Sequence, residues 1–378
     1  MEKKRHPQSP LIIIGISLVW FLIGWFGRGL LLPSSATPLD TTLNILENEA
    51  LYQAESPEAL QQNAIRGMLI GLGDPHAALL APPVNERFDP DFAGETGMVG
   101  LSLGMVGGQI GVTHIFPGRP AEGAGLQVND ILLSVDDFTL TPLTSLTEVS
   151  YMVRGPVGEA VTLVIQRGEA ILTFSPIREA REIVSAEMLT DQIGYLAQYT
   201  FTTNADELFL VALQELISQG AQGLIWDLRS NGGGSVQTAQ QILSAFFDDQ
   251  ILYHVEFPDG SREAFVPLPE IEAQSIALVV LVGPNTYSAA EMSAAAIQDW
   301  SRGTVIGETT YGKGTIQNTA PISEDLLLQV SIAKWLSPDG RWYQETGLIP
   351  DIVIRDDPAT PADEVLQEAL TILSTELE

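Results

Sequence analysis

The chain reads as a multidomain α/β protein in which a helical region and a small, mostly-β module precede a larger core with a helix-covered sheet. Three observations predict this class. The runs GLIWDLR (223–229) and SIALVVLVG (275–283) are nearly unbroken apolar stretches, the pattern of strands buried on both faces. Helix signals follow each of them, as crossover helices of such a sheet require. At 378 residues the chain can also bury more than one core.

The elements follow in order. Lys3, Lys4 and Arg5 make residues 1–10 a basic flank. Leu11 to Gly27 is then uncharged, and after Arg28 the apolar stretch continues to Leu32. Such a segment, 11–32, predicts a transmembrane anchor with a cytoplasmic N-terminus and the remainder facing outward. A signal peptide cleaved near Ser35-Ala36, with secretion of the rest, is the alternative. Residues 37–92 form a helical region, with helical spacing from Leu39 to Leu80, a Gly-Asp-Pro stop at 73–75, and a proline-bearing connection from Pro82 to Phe92.

In 94–167 short apolar strands are predicted at 99–105, 110–115, 130–135 and 160–166. Glycine-rich turns separate them, and short helices are expected around Ala121 and Leu146. From 186 to 355 strands (193–198, 223–229, 275–283, 303–309) alternate with helices (204–218, 236–246 and one opening at Ala289). Residues 356–378 supply a polar link and an amphipathic helix over 363–377.

Composition excludes several functions. A net charge of −30 repels nucleic-acid phosphates, so no nucleic-acid partner is expected. With no cysteine there is no thiol nucleophile and no disulfide. The 4 histidines, His6, His76, His114 and His254, form no HExxH or comparable ligand cluster, so neither metal nor other cofactor is expected.

The candidate chemistry begins at NTYSAAEMSAAAIQDW (285–300). Ser288 and Glu291 have the spacing of a capping box, and most such serines only close a helix end. Ser288 also lies where an apolar strand turns into a helix, the place where a hydroxyl can stand beside free helix N-terminal N–H groups. A serine nucleophile needs a base. His76, His114 and His254 each read more readily as packed or surface histidines, whereas Lys313, in TTYGKGTIQ (309–317), stands between Gly312 and Gly314 just beyond the next strand. A buried lysine shifts toward its neutral form. A phosphate-loop reading of Lys313 fails for want of GxxxxGK[ST], and a solvated turn charge remains its plain alternative. Gln317 is placed to orient the lysine, and Gly232 to Gly234 in DLRSNGGGS (227–235) allow close backbone approach to a ligand.

GLIWDLRSNGGG (223–234), VLVGPNTYSAAEMSAAAIQD (280–299) and GETTYGKGTIQ (307–317) together resemble the C-terminal processing peptidases. This tail-specific serine peptidase family, peptidase family S41, carries a PDZ domain. The resemblance implies a ClpP/crotonase-like core with Ser288 as nucleophile, Lys313 as general base, Gln317 orienting it, and Gly233 and Ala289 as oxyanion donors. MVGLSLGMVGGQIGVTHIFPGRPAEGAGLQVNDILLSVDD (98–137) resembles the family's PDZ domain, with peptide contacts at Gly100, Leu101, Ser102 and Leu103. Arg154 resembles an arginine that couples PDZ position to the active site in some members, and a turn charge is its alternative. Thr286, Tyr287, Ala290 and Gly232 depart from the common pattern around intact motifs.

The resulting expectation is a serine endopeptidase that captures accessible C-terminal protein tails and cuts them through an acyl-enzyme. A membrane-anchored PDZ scaffold with a silent core is the alternative. A lipid or ester hydrolase is disfavoured because Ser288 lacks GxSxG surroundings. Ser331-Ile332-Ala333-Lys334 spells SxxK, but in a strand-like stretch its Ser and Lys point to opposite faces.

Overall fold

The computed structural model describes residues 37–52, 54–269, 271, 275–356 and 362–378. The predicted anchor at 11–32 lies outside them, and among the described residues no helix is long and apolar enough to cross a membrane. The chain divides into a unit ending at Gly67 and a unit of Met68–Glu378. In the first, Thr37 caps the helix Pro38–Glu49, its N–H donating to Asp40 Oδ2 at 2.9 Å, and the helix Pro57–Leu72 starts.

In the second unit Gly73, at φ 75°, ends that helix. The helical spacing expected up to Leu80 does not persist: Ala78–Leu80 is a strand. Its residues are fully buried because they pair antiparallel with Leu327–Gln329 of the strand Leu327–Leu336. The expected connection from Pro82 to Phe92 contains the helix Asn85–Phe92, despite Pro90 within it. Phe88 holds this helix in place, its ring centroid 6.2 Å from that of Phe92 and 5.7 Å from that of Tyr151.

The mostly-β module is an antiparallel sheet in the order Leu101–Val106, Gln109–Ile115, Ile131–Val135, Leu163–Arg167, Ala170–Phe174. Inward residues such as Val112, Leu132, Leu163 and Ile165 pack with Val149 of the helix Leu146–Val153. Leu101–Val106 stands at the sheet edge, so one side of its backbone is not paired within this sheet.

The core sheet runs Val184–Met188, Ile193–Gln198, Gly223–Asp227, Ala277–Val282, Thr304–Gly307, Ile352–Val353. The first pair is antiparallel and the others are parallel. Strand alternation sends Leu224, Trp226, Leu278 and Val280 to one face, where they meet Phe209, Phe246 and Ala295. Ile225, Val279 and Leu281 face the other way, against Val365, Ala369 and Leu373 of the helix Glu364–Glu376. Both faces are therefore covered, which is why these strands read as continuous apolar runs.

A second sheet, not anticipated as such, is built on Leu327–Leu336, which pairs with Ala78–Leu80, Tyr253–Glu256 and Thr315–Pro321. Within it Ser331 and Lys334 part company as expected. Ser331 bonds to Asp74, while Lys334 Nζ lies 3.2 Å from Glu256 Oε1 and 4.6 Å from the Trp342 ring centroid.

Candidate active site

The strand Ala277–Val282 delivers the chain to a buried turn. Thr286 Oγ1 donates to Leu228 O at 2.7 Å and accepts from the Gly283 N–H at 3.0 Å. Tyr287 N–H then donates to Asn231 O at 3.2 Å. Pinned on both sides, Ser288 adopts φ 61° and ψ −124°, a region that L residues avoid. Such strain persists only where the surroundings dictate it, and a strained strand-to-helix turn is one way to present a serine hydroxyl. Behind it, every residue of Ala289 to Ile297 in the helix Ala289–Asp299 is buried.

Glu291 does more than cap this helix. Its fully buried carboxylate accepts the Ser288 N–H at 2.9 Å and also the Lys313 N–H at 2.9 Å, the Gly312 N–H at 2.6 Å and the Thr310 hydroxyl at 2.5 Å. One side chain thus ties the main chain of the candidate nucleophile to that of the candidate base. Burial pushes the Glu291 carboxyl up from its ordinary value, opposed by these four hydrogen bonds.

The Lys313 loop is fixed from its other side as well. Trp335 Nε1 donates to Lys313 O at 2.8 Å, and Trp342 Nε1 donates to Gly314 O at 2.8 Å. A side chain at position 314 would start 2.4 Å from that indole nitrogen, so the tight packing requires glycine there. Desolvation, reinforced by the Arg154 guanidinium, lowers Lys313 to about 8, while Asp74 and Glu291 oppose the shift. At about 8 the lysine is mostly charged at pH 7 but reaches the neutral form, which a general base needs, far more readily than an ordinary lysine.

Gln317 does not bond to Lys313 in this structure. Its Nε2 donates to Thr315 Oγ1 at 2.8 Å and to Ser331 Oγ at 3.1 Å.

The glycine loop lies against the serine. A Cβ on Gly233 would sit 2.8 Å from Ser288 Cβ and 3.0 Å from Ala289 N. Ala289 opens its helix, and its N–H belongs to the first turn, which lacks intrahelical acceptors. The Gly233 N–H, however, donates to Asn231 Oδ1 at 2.8 Å, so Gly233 serves an oxyanion only if Asn231 releases it.

The remaining expected positions lie in the mostly-β module. Gly100, at φ 76°, turns the chain into the edge strand that carries Leu101, Ser102 and Leu103. Arg154 is not a free turn charge: it pairs with Asp91 and its guanidinium lies 5.5 Å from the Tyr151 ring centroid. His114 packs edge-on to Phe116 at 4.7 Å. His76, expected only as a packed or surface residue of the helical region, lies near enough to Lys313 to feel its charge. Burial, that lysine and an opposing Asp74 leave it at about 4, neutral at physiological pH.

Sequence reasoning missed Asp74 and Thr310 at this site and read Glu291 only as a cap. Asp74 carried no signal beyond its place in a helix stop.

The chain thus joins a PDZ-like module to a core that carries a strained serine and a desolvated lysine. Residues 192–354 match peptidase family S41, and residues 111–167 match a PDZ domain. The carboxyl-terminal-processing protease of Synechocystis sp. is 32% identical over 329 residues, covering 82% of this chain and 76% of that protein. The carboxy-terminal processing protease CtpA of Bacillus subtilis is 30% identical over 305 residues, covering 80% of this chain. The match spans 65% of CtpA, just under two thirds of its length. Among solved structures, a photosystem II D1 C-terminal processing protease superposes with a TM-score of 0.66 at 28% identity, covering 87% of this chain and 89% of the other. The chain belongs to peptidase family S41, among relatives named C-terminal processing proteases.

Proposed function

We propose that the chain is a serine endopeptidase that cleaves accessible C-terminal tails of proteins with Ser288 as nucleophile and Lys313 as base. The observation that carries this reading is the Glu291 carboxylate, which holds the main chains of both residues while Lys313 is lowered to about 8. A tail adds as a strand to the free edge of Leu101–Val106, its terminal carboxylate at the Gly100 turn, and extends toward Ser288. Ser288 Oγ bonds to the scissile carbonyl carbon as its proton passes to Lys313 Nζ. The oxyanion meets the Ala289 N–H and, once Asn231 turns away, the Gly233 N–H. Collapse breaks the C–N bond, and the Lys313 ammonium returns the proton to the leaving amine. Water then attacks the ester and gives one proton to Lys313; collapse breaks the acyl C–O bond, Lys313 returns that proton to Ser288 Oγ, and the new carboxyl group leaves and ionises.

The basic flank and apolar segment 11–32 support a membrane-anchored enzyme acting outside the cytoplasm, with secretion after signal cleavage as the variant of that arrangement. Incubating the protein with an unstructured polypeptide tests the reaction. Fragments are expected from wild type and not from Ser288→Ala or Lys313→Ala; undiminished cleavage by Lys313→Ala overturns the base assignment. A PDZ scaffold with a silent core is favoured by one observation, the Gly233 N–H held by Asn231. Tail binding without cleavage by wild type establishes that second reading instead.

A further inference from the structure

We infer that Asp74 is a positioning residue for the lysine: anchored on Ser331, its carboxylate fixes the Gln317 amide and supplies the Lys313 ammonium with a counter-charge. The inference rests on the Ser288–Lys313 reading and assigns a task to a residue that otherwise only ends a helix.

The geometry is a relay of hydrogen bonds. Asp74 Oδ2 accepts the Ser331 N–H at 2.7 Å, and Oδ1 accepts the Ser331 hydroxyl at 3.0 Å. Oδ1 also accepts the His76 main-chain N–H at 3.0 Å, which fixes the carboxylate against its own turn. With its proton committed to Asp74, the Ser331 hydroxyl can only accept, and it does so from Gln317 Nε2 at 3.1 Å. The second Nε2 hydrogen goes to Thr315 Oγ1 at 2.8 Å. Both amide donors are thereby used, and the amide is held in the orientation that leaves Oε1 as its acceptor. An ammonium needs an acceptor, so this is the orientation in which Gln317 can accept a hydrogen bond donated by the Lys313 ammonium. Were the amide reversed, two donors would confront the lysine.

The charges facing Lys313 are Arg154, Asp74 and Glu291, with the neutral His76 imidazole also nearby. Arg154 and burial favour the neutral amine, whereas Asp74 and Glu291 favour the ammonium. Glu291 is occupied by four donors, three of them main-chain N–H groups. Asp74 is half-buried and bonded to a side chain that leads to Gln317, so removing its charge acts on the lysine without unfastening the Ser288 turn.

The test is kcat/KM against pH, measured on an unstructured polypeptide for wild type, Asp74→Asn, Ser331→Ala and Lys313→Ala, with melting curves for each. Asp74→Asn moves the acid limb about 1 pH unit lower, the ordinary size for loss of a nearby opposite charge. Its plateau falls about tenfold, as expected for a loosened catalytic group. Ser331→Ala keeps the limb in place and lowers only the plateau, which separates the charge of Asp74 from its grip on Gln317. Should Asp74→Asn not fold, Asp74→Glu takes its place and is expected to retain the limb with a lowered plateau. If Lys313→Ala is inactive and the Asp74→Asn limb stays at the wild-type pH, or the Ser331→Ala plateau is unchanged, this inference fails alone. An active Lys313→Ala overturns the dyad and this inference with it.

Discussion

Two carboxylates converge on the Lys313 loop and treat it differently. Glu291 is wholly buried on the helix behind Ser288 and binds three main-chain N–H groups and a hydroxyl. Asp74 is half-buried, comes from the strand entry near His76, and reaches the site through the side chains of Ser331 and Gln317. Glu291 determines where the loop is; Asp74 acts on the charge and partners of the side chain the loop carries. Placement and tuning are therefore separable, and substitution of either carboxylate tells them apart.

Glu291→Gln attacks placement and is expected to have the largest effect. An amide can accept with one oxygen only, so buried N–H groups are left facing an NH2 group at about 1–3 kcal/mol each. Activity falls by about 10³-fold, with a clear drop in melting temperature, because the backbone at Ser288 and Lys313 loses its common anchor. Wild-type melting and turnover in this variant would erase the distinction between the two carboxylates.

Gly233→Ala disturbs the oxyanion side of the same frame. A new methyl 2.8 Å from Ser288 Cβ, on a residue at φ 78°, forces the loop away from the serine. Turnover is expected to fall about 10²-fold, the usual scale for loss of one oxyanion donor. The check is to compare kcat with the rate of Ser288 labelling by a fluorophosphonate, and an unaffected kcat counts against Gly233 as a donor.

Lys313→Met removes cleavage as Lys313→Ala does, and its effect on stability is the smallest of the expected changes. The folded-state value of about 8 lies below the ordinary 10.5, so between these values the unfolded chain binds more protons and wild-type stability rises with pH. Below pH 8 the folded protein bears an ammonium in an unfavourable place, a cost that methionine removes. The inactive variant should melt about 2–4 °C higher at pH 6.5, and its advantage should shrink as pH rises past 8. An advantage that is constant with pH would mean packing rather than charge sets the difference.

Much of this was legible in the sequence where the signal is local. Gly223–Asp227 and Ala277–Val282 announced themselves because burial on both faces leaves no polar alternation. Ser288, Lys313 and Gly233 stood out through turn residues at strand ends. Local pattern fails where a distant partner decides. Ala78–Leu80 has helical spacing yet is a strand because Leu327–Gln329 receives it. Asn85–Phe92 keeps its helix around Pro90 because Phe88 packs on Tyr151. Three of the four donors to Glu291 come from a loop beyond the next strand, and no spacing rule connects them to a capping residue.

The bond between Asp74 and Ser331 also has a meaning in time. Its partners are 257 positions apart, so on the ribosome Asp74 waits roughly 10–50 s, at about 5–20 residues per second, before Ser331 exists. Ser288 and Lys313 are both made before Ser331. A chain that stops short of Ser331 therefore holds both Ser288 and Lys313 and still lacks the anchor of the Asp74 carboxylate.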